Sequence, residues 1–257
     1  MNQMSGHKHS EVASYATQYS KKFVERWDDL IDWDKRKAGE NGFFENLLKQ
    51  HGVKSVIDVS TGSGFHAVQL KQAGFDVVAT DGSSTMLTKA RENFRQRGLT
   101  IESHYRDWQS LDPAELGRFD AVVCLGSSLC HVFAAHERLE VLEKFRALLN
   151  PGSLLIVDQR NFFAIRAGKF KSSGNYYYCG THASVGLGQV DEHVCEFIYS
   201  FDNEEQYRLK VYPLLPGELT NEVLASGFSD HRSYGDFQPD YDMMQCDFVI
   251  HTARKTA

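Results

Sequence analysis

Ser55-Val56-Ile57-Asp58-Val59-Ser60-Thr61-Gly62-Ser63-Gly64-Phe65 reads as a buried strand that runs straight into a glycine-rich turn. An amphipathic segment, His66 to Ala73, follows the turn. A second apolar strand, Phe75 to Thr80, then ends in Asp81. This is the first half of a nucleotide-binding α/β unit. Gly62 and Gly64 allow positive φ and a close approach of backbone to a ligand. An acid at the tip of the second strand can accept hydrogen bonds from ribose hydroxyls.

Two ligand classes use this layout. Gly62-Ser63-Gly64-Phe65-His66-Ala67 fits the dinucleotide pattern formally, but a lone match of that kind is weak. S-adenosylmethionine enzymes use a looser turn preceded by an acid at the strand end, and Asp58 is such an acid. It is the expected partner of a methionine amino group. The methyl-donor reading is therefore preferred, with a nicotinamide-dependent or purely cofactor-binding protein as the alternative.

The strand–helix alternation continues outward from this unit. A helix is expected over Met86–Arg97, strands over Thr100–Tyr105 and Phe119–Leu125, and a helix over Ala135–Leu149 stopped by Asn150-Pro151-Gly152. A fifth strand is expected over Leu154–Asp158. Such alternation predicts a parallel sheet with helices on both faces, and ligands outside the carboxyl ends of its strands. Asp58, Asp81, Asp107, Leu125-Gly126 and Asp158-Gln159-Arg160 all fall at such ends.

The flanks differ in character. Residues 1–14 are expected to fray. Phe23, Trp27 and Leu30, then Phe43, Leu47 and Leu48, recur at helical spacing, which predicts two helices broken at Gly39 and Gly42. Trp27 and Trp33 are either packing residues or part of a lid over a cofactor mouth. Asn175 to Tyr212 alternates with period two around the polar turn Asp202-Asn203, as an antiparallel insertion does. Pro216–Gly227 returns as a helix, and Arg232–Tyr234 and Phe248–Thr252 are the expected last two strands.

Bulk properties narrow the function. The 257 residues carry a net charge of −6 with the two signs interspersed, which argues against a nucleic-acid substrate. The five cysteines form no C-x-x-C pair and the eleven histidines show no metal spacing. Buried thiols in a reducing, cytoplasmic compartment are expected, with no disulfide framework and no metal. The first residues hold no apolar signal core, and no window reads as a membrane span.

The segments "VIDVSTGSGFHAVQLKQAGFDVVATDGSSTML", "RDW", "FDAVVCLGSSLCHVF", "LNPGSLLIVDQRNF", "NYYYCG" and "YRLKVYPL…YGDF" together resemble the glycine and glycine/sarcosine N-methyltransferases, from about Trp27 to the C-terminus. The resemblance implies a doubly wound, mostly parallel seven-stranded methyltransferase sheet. It implies an N-terminal helical lid over 1–50, a core of 51–165 and 213–257, and an antiparallel β insertion over 166–212. It also implies methyl transfer from S-adenosylmethionine to glycine, sarcosine or dimethylglycine, on a small-molecule enzyme with neither nucleic acid nor membrane as partner and with homo-oligomers open.

On the resemblance, Asp81 holds the ribose, and Asp107 and Trp108 meet adenine. Ser60 and Gly62 line the methionine part, and Arg36 or neighbouring Lys37 binds its carboxylate. Trp27, Asp58, Gly64, Met86, Leu125 and Gly126 complete the cofactor set. Arg160 is to grip the acceptor carboxylate, and Tyr178 and Tyr212 are to line the amine pocket. His131 is to support the loop after the fourth strand, with Tyr19 and Ser127 in the same set. Ser127 stands where the family commonly has Asn, which leaves a larger amine or heteroaromatic nitrogen as an alternative acceptor. The Arg160 reading has independent physical support, because a guanidinium is the natural clamp for an amino-acid carboxylate. His131 as a general base is the lesser reading beside a structural one.

Overall fold

A computed structural model describes residues 15–171, 180 and 182–256. The expected frayed residues 1–14 and the run Tyr176–Tyr178 lie outside the described residues. In chain order the elements are α1 (Tyr15–Gln18), α2 (Lys21–Glu25), α3 (Trp27–Leu30), α4 (Trp33–Glu40), α5 (Phe43–Gln50), β1 (Ser55–Asp58), α6 (Phe65–Gln72), β2 (Asp76–Asp81), α7 (Ser84–Gln96) and β3 (Glu102–Tyr105). They continue with α8 (Pro113–Leu116), β4 (Phe119–Cys124), α9 (Ala135–Ala147), β5 (Leu149–Arg160), α10 (Phe162–Arg166), β6 (Ala183–Val190), β7 (Cys195–Phe201), β8 (Gln206–Val211), α11 (Pro216–Ala225), β9 (Phe228–Gly235) and β10 (Phe248–Lys255). Short 3-10 turns lie at Trp108–Ser110 and Ser128–His131.

The main sheet has seven strands in the order β3-β2-β1-β4-β5-β10-β9. β1 to β5 are parallel, and β10 runs antiparallel between β5 and β9. The chain winds outward from β1 to β3, then returns to β4 on the other side of β1. A crevice opens at that reversal, between the carboxyl ends of β1 and β4. Alternate residues feed two cores. Ile57, Val122, Leu155 and Val157 point to one, and Val56, Ala121, Val123, Leu154 and Ile156 to the other. Because both faces are covered, these strands read as continuous apolar runs in the sequence.

Two expectations need correction. The N-terminal segment is five short helices, not two. Ser20 and Asp32 cap new starts by accepting the amides of Phe23 and Lys35, and Asn41 and Gly42 end α4 in the left-handed region. Gly39 stays inside α4. The apolar spacing was continuous because α2 and α3 are separated by Arg26 alone. Second, β5 begins at Leu149, before the expected stop. The helix does end there, but Asn150-Pro151-Gly152 becomes a bulged strand entry, and the register with β4 shifts between Phe119 and Ala121. The expected antiparallel insertion is present as a separate three-stranded sheet, β6-β7-β8, whose described strands begin at Ala183.

That small sheet carries the N-terminal helices. Phe23 stacks on Tyr207 at 4.6 Å and meets Tyr199 at 5.5 Å, and the Arg26 guanidinium lies 4.6 Å over Phe201. The Gly180 amide donates to the Leu30 carbonyl, and the Gln18 amide to the Lys210 carbonyl. In the same core, α9 and α11 are joined through Arg138, which is 1% exposed. Its guanidinium donates to both oxygens of Glu222 at 2.7–3.1 Å and to the carbonyls of Val132 and Phe133. It also lies 4.5 Å over the Tyr212 ring. Among the described residues no helix is long and apolar enough to cross a membrane, and Cys124, Cys130, Cys195 and Cys246 are buried free thiols.

Breaking a buried ion pair on one side strands the other charge, which costs ~3–5 kcal/mol. Glu222→Ala is therefore expected to lower the urea midpoint severely. Replacing the pair together with Met and Leu is expected to recover most of that loss. Equilibrium unfolding followed by tryptophan fluorescence measures both.

Candidate active site

The glycine turn is built from its backbone. The Thr61 amide donates to the Thr80 carbonyl, and the Gly64 amide to the Thr61 carbonyl. Gly62 sits at φ 54 and Gly64 at φ 93. The two glycines do different work. Gly62 faces a cavity of about 320 Å³ at the β1/β4 crevice. Gly64 stands behind that wall, where an added Cβ would come within 2.5 Å of the Phe94 ring. It is needed for close packing of α7, which also holds the turn through Asn93, donating to the Ser63 carbonyl at 2.9 Å.

Asp81 closes the turn from β2. One oxygen accepts the Gly62 amide and the other the Ser83 amide, each at 2.7 Å. Its burial pushes the carboxyl up to about 6, against the pull of those two bonds. Asp58, at 1% exposure, accepts the Ser60 amide at 3.1 Å. Burial raises its pKa, with the His66 charge and the Ser60 bond opposing. It lies beneath the cavity rather than in its wall. Ser60 spans the crevice, its hydroxyl donating to the Leu125 carbonyl and accepting the Leu125 amide. Asp107 caps the turn that presents Trp108, whose indole N–H donates to the Val59 carbonyl at 2.7 Å. Met86, Asp107, Trp108, Leu125 and Gly126 all line the cavity.

A second cavity of about 120 Å³ adjoins the first and shares Tyr19, Trp27, Arg36, Gly126 and His131 with it. Its own walls bring Ser127 and Arg160 together with Phe162, Phe197, Tyr199 and Phe248. The Arg160 guanidinium lies 5.0 Å from the Phe248 ring and 5.1 Å from Phe197. Trp27 lines both cavities, whereas Trp33 packs on Phe65 and under Arg97. Arg36 faces both cavities, whereas Lys37 is exposed to solvent.

Ser127 has φ 60, in the left-handed region. Its amide donates to Asp158 at 2.7 Å, and its hydroxyl accepts the Arg160 amide at 2.8 Å. The side chain thus joins the ends of β4 and β5. His131 sits 3.0 Å from the Tyr19 hydroxyl through Nε2. Burial lowers its pKa to about 4, and burial pushes the Tyr19 phenol far up. A neutral imidazole of that weakness is a poor base for an ammonium group.

Tyr212 is not among the residues lining either cavity: its hydroxyl donates to Glu218 at 3.0 Å and its ring packs on Arg138. Tyr178 lies outside the described residues. Sequence reasoning missed Glu40 and His66, which flank Arg36, and Phe197 and Tyr199 as site walls. The last two were legible only as alternating strand residues. Nothing in the sequence joins Glu40 to His66.

A family model described as a methyltransferase domain matches residues 56–152. The glycine/sarcosine N-methyltransferase of Halorhodospira halochloris is 42% identical over 241 residues, covering 94% of this chain and 90% of that protein. The enzyme of the same description from Aphanothece halophytica is 40% identical over 94% of this chain and 91% of its own length. An S-adenosylmethionine-dependent methyltransferase structure from Clostridium acetobutylicum superposes with a TM-score of 0.69 at 16% identity, covering 92% of this chain and 98% of that one. That likeness is one of fold.

Gly62→Ala and Gly64→Ala both place a side chain at positive φ, which costs about 1–2 kcal/mol. Gly64→Ala adds an overlap with Phe94 that Gly62→Ala lacks, so its loss is expected to be larger by about 1–3 kcal/mol. Comparing the two urea midpoints checks this.

Proposed function

The chain belongs to the glycine/sarcosine N-methyltransferase family, and from that premise we propose that it methylates the amine of a small amino acid of glycine, sarcosine or dimethylglycine type. It is an S-adenosylmethionine-dependent N-methyltransferase. The observation that carries the choice of acceptor is Arg160, beside a small cavity that opens onto a larger one.

When bound, S-adenosylmethionine supplies a methyl group activated on a sulfonium sulfur. The residues of the larger cavity fit that ligand. In this reading Asp81 accepts the ribose hydroxyls, Asp107 and Trp108 hold the adenine, and Ser60, Gly62 and Arg36 hold the methionine end. Arg160 takes the acceptor carboxylate through its planar fork, which turns the α-amine toward the larger cavity. Alignment of amine, methyl and sulfur supplies the acceleration, ~7–11 kcal/mol where the geometry is good. The amine reacts in its neutral form, its proton having gone to water. Tyr19, held as a phenol, and neutral His131 shape the junction of the cavities without exchanging a proton. The helices before residue 51 and the insertion over 166–212 serve as covers for a core of 51–165 and 213–257. Ser127 acts on the acceptor through the Arg160 backbone.

Three outcomes test this reading. Arg160→Lys keeps the charge but loses the fork. It is expected to lower kcat/KM on carboxylate-bearing amines by about 10–100-fold, the worth of a charged hydrogen bond, with S-adenosylhomocysteine affinity unchanged. Full activity would remove the clamp. Ser127→Asn suits the left-handed backbone and reaches further, so KM for glycine or sarcosine is expected to fall. Steady-state kinetics with product mass spectrometry over a panel of such amines reads both.

The third outcome concerns pH. Protonated Asp81 has fewer acceptor positions for ribose, so S-adenosylhomocysteine affinity is expected to rise with pH through about 6. It should be about tenfold weaker one pH unit below that value. Asp81→Asn should abolish the dependence, as read by calorimetry. For stability the sign is opposite. The folded carboxyl keeps its proton up to about 6 while the unfolded one releases it near 3.8. That contribution is full below the unfolded value and is lost as pH rises through about 6.

A further inference from the structure

We propose that Glu40 and His66 are positioning residues that fix the Arg36 guanidinium at the mouth of the cofactor cavity. One Glu40 oxygen lies 2.7 Å from Arg36 Nε and 3.1 Å from His66 Nε2. Arg36 Nη2 lies 3.3 Å from the same imidazole nitrogen. All three side chains are nearly buried, at 12%, 7% and 10% exposure for Arg36, Glu40 and His66. Phe65 lies under the guanidinium at 4.8 Å, and Phe44 stands edge-on to the imidazole.

The arrangement is poorly explained as a device for stability. Glu40 is the buried residue of a helix whose other charged residues, apart from Arg36, are exposed or half-exposed. A buried ion pair is usually no more stabilising than apolar residues in its place. Within α4, Arg precedes Glu by four residues, the less favourable order for the helix dipole. The arrangement does make sense as a clamp on geometry. Arg36 comes from the N-terminal helices and His66 from the first turn after the glycine loop, so Glu40 ties the guanidinium to the loop that lines the same cavity. The other charges that act on this cluster are the buried Asp58 and Asp158, which face Arg36 and His66 from the strand ends. The Glu40 carboxyl stays ionised. Burial raises its pKa, but the nearby His66 and Arg36 prevail and set it below the usual carboxylate value.

The inference rests on the reading of Arg36 as the ligand of the methionine carboxylate, and the test separates the two. S-adenosylhomocysteine carries that carboxylate. 5′-Methylthioadenosine has the same nucleoside and sulfur without it. Calorimetry on the full chain is expected to show Glu40→Gln weakening S-adenosylhomocysteine by about tenfold, as loss of one charge-assisted contact does. 5′-Methylthioadenosine should be unchanged. Arg36→Ala should act in the same selective way, and adding Glu40→Gln to it should cost nothing more.

Equal weakening of both ligands by Glu40→Gln, or additive losses in the double variant, would overturn the positioning role while leaving Arg36 as a ligand. An Arg36→Ala variant that lost both ligands equally would overturn the reading of Arg36 and the inference with it. Glu40→Asp keeps the charge and withdraws it by one methylene. It gives the same comparison in a protein whose folding is less disturbed, and a selective loss of S-adenosylhomocysteine is again the expected result.

Discussion

The cavities depend on buried carboxylates that hold backbone amides at the ends of parallel strands. Asp58 takes the Ser60 amide, Asp81 the amides of Gly62 and Ser83, and Asp158 that of Ser127. A loop leaving a parallel strand has no ladder partner, and buried amides left unpaired are costly. A short acid at the strand tip answers that need and places negative charge where the strands end together. In all three, burial raises the pKa and backbone amides oppose it. The crevice is thus electrostatically prepared for a cationic ligand by the same groups that hold its loops in shape.

Much of this was legible in the sequence because it is local. Each acid sits at the end of an apolar run, and the glycine turn follows the first of them. The strands themselves follow from alternation and from the two apolar runs near the C-terminus, whereas their order in the sheet is seen only in the structure. What was illegible depends on contacts between distant segments. Ser127, read from the sequence as an acceptor ligand, also receives the Arg160 amide on its hydroxyl oxygen. Tyr212, read as a pocket wall, packs its ring on Arg138 and gives its hydroxyl proton to Glu218. Neither partnership is visible in the residues around it. The short N-terminal helices were read as two for a related reason: periodicity records the face that is buried, and a change of helix axis at Arg26 leaves that face intact.

Arg36 and Arg160 illustrate two ways of placing a cation. Arg36 is fixed by an acid and an imidazole, so its direction is set by hydrogen bonds. Arg160 is surrounded by Phe170, Phe197 and Phe248, whose ring faces attract a cation without prescribing a hydrogen-bond direction.

The stacking of Phe23 on Tyr207 and the Gly180–Leu30 hydrogen bond join the N-terminal helices to the three-stranded sheet. Separating the N-terminal helices from that sheet would expose these rings to water and break that backbone bond, so the two elements hold together as one unit beside the second cavity, whose walls both supply: Trp27 and Leu30 from the helices, Phe197 and Tyr199 from the sheet.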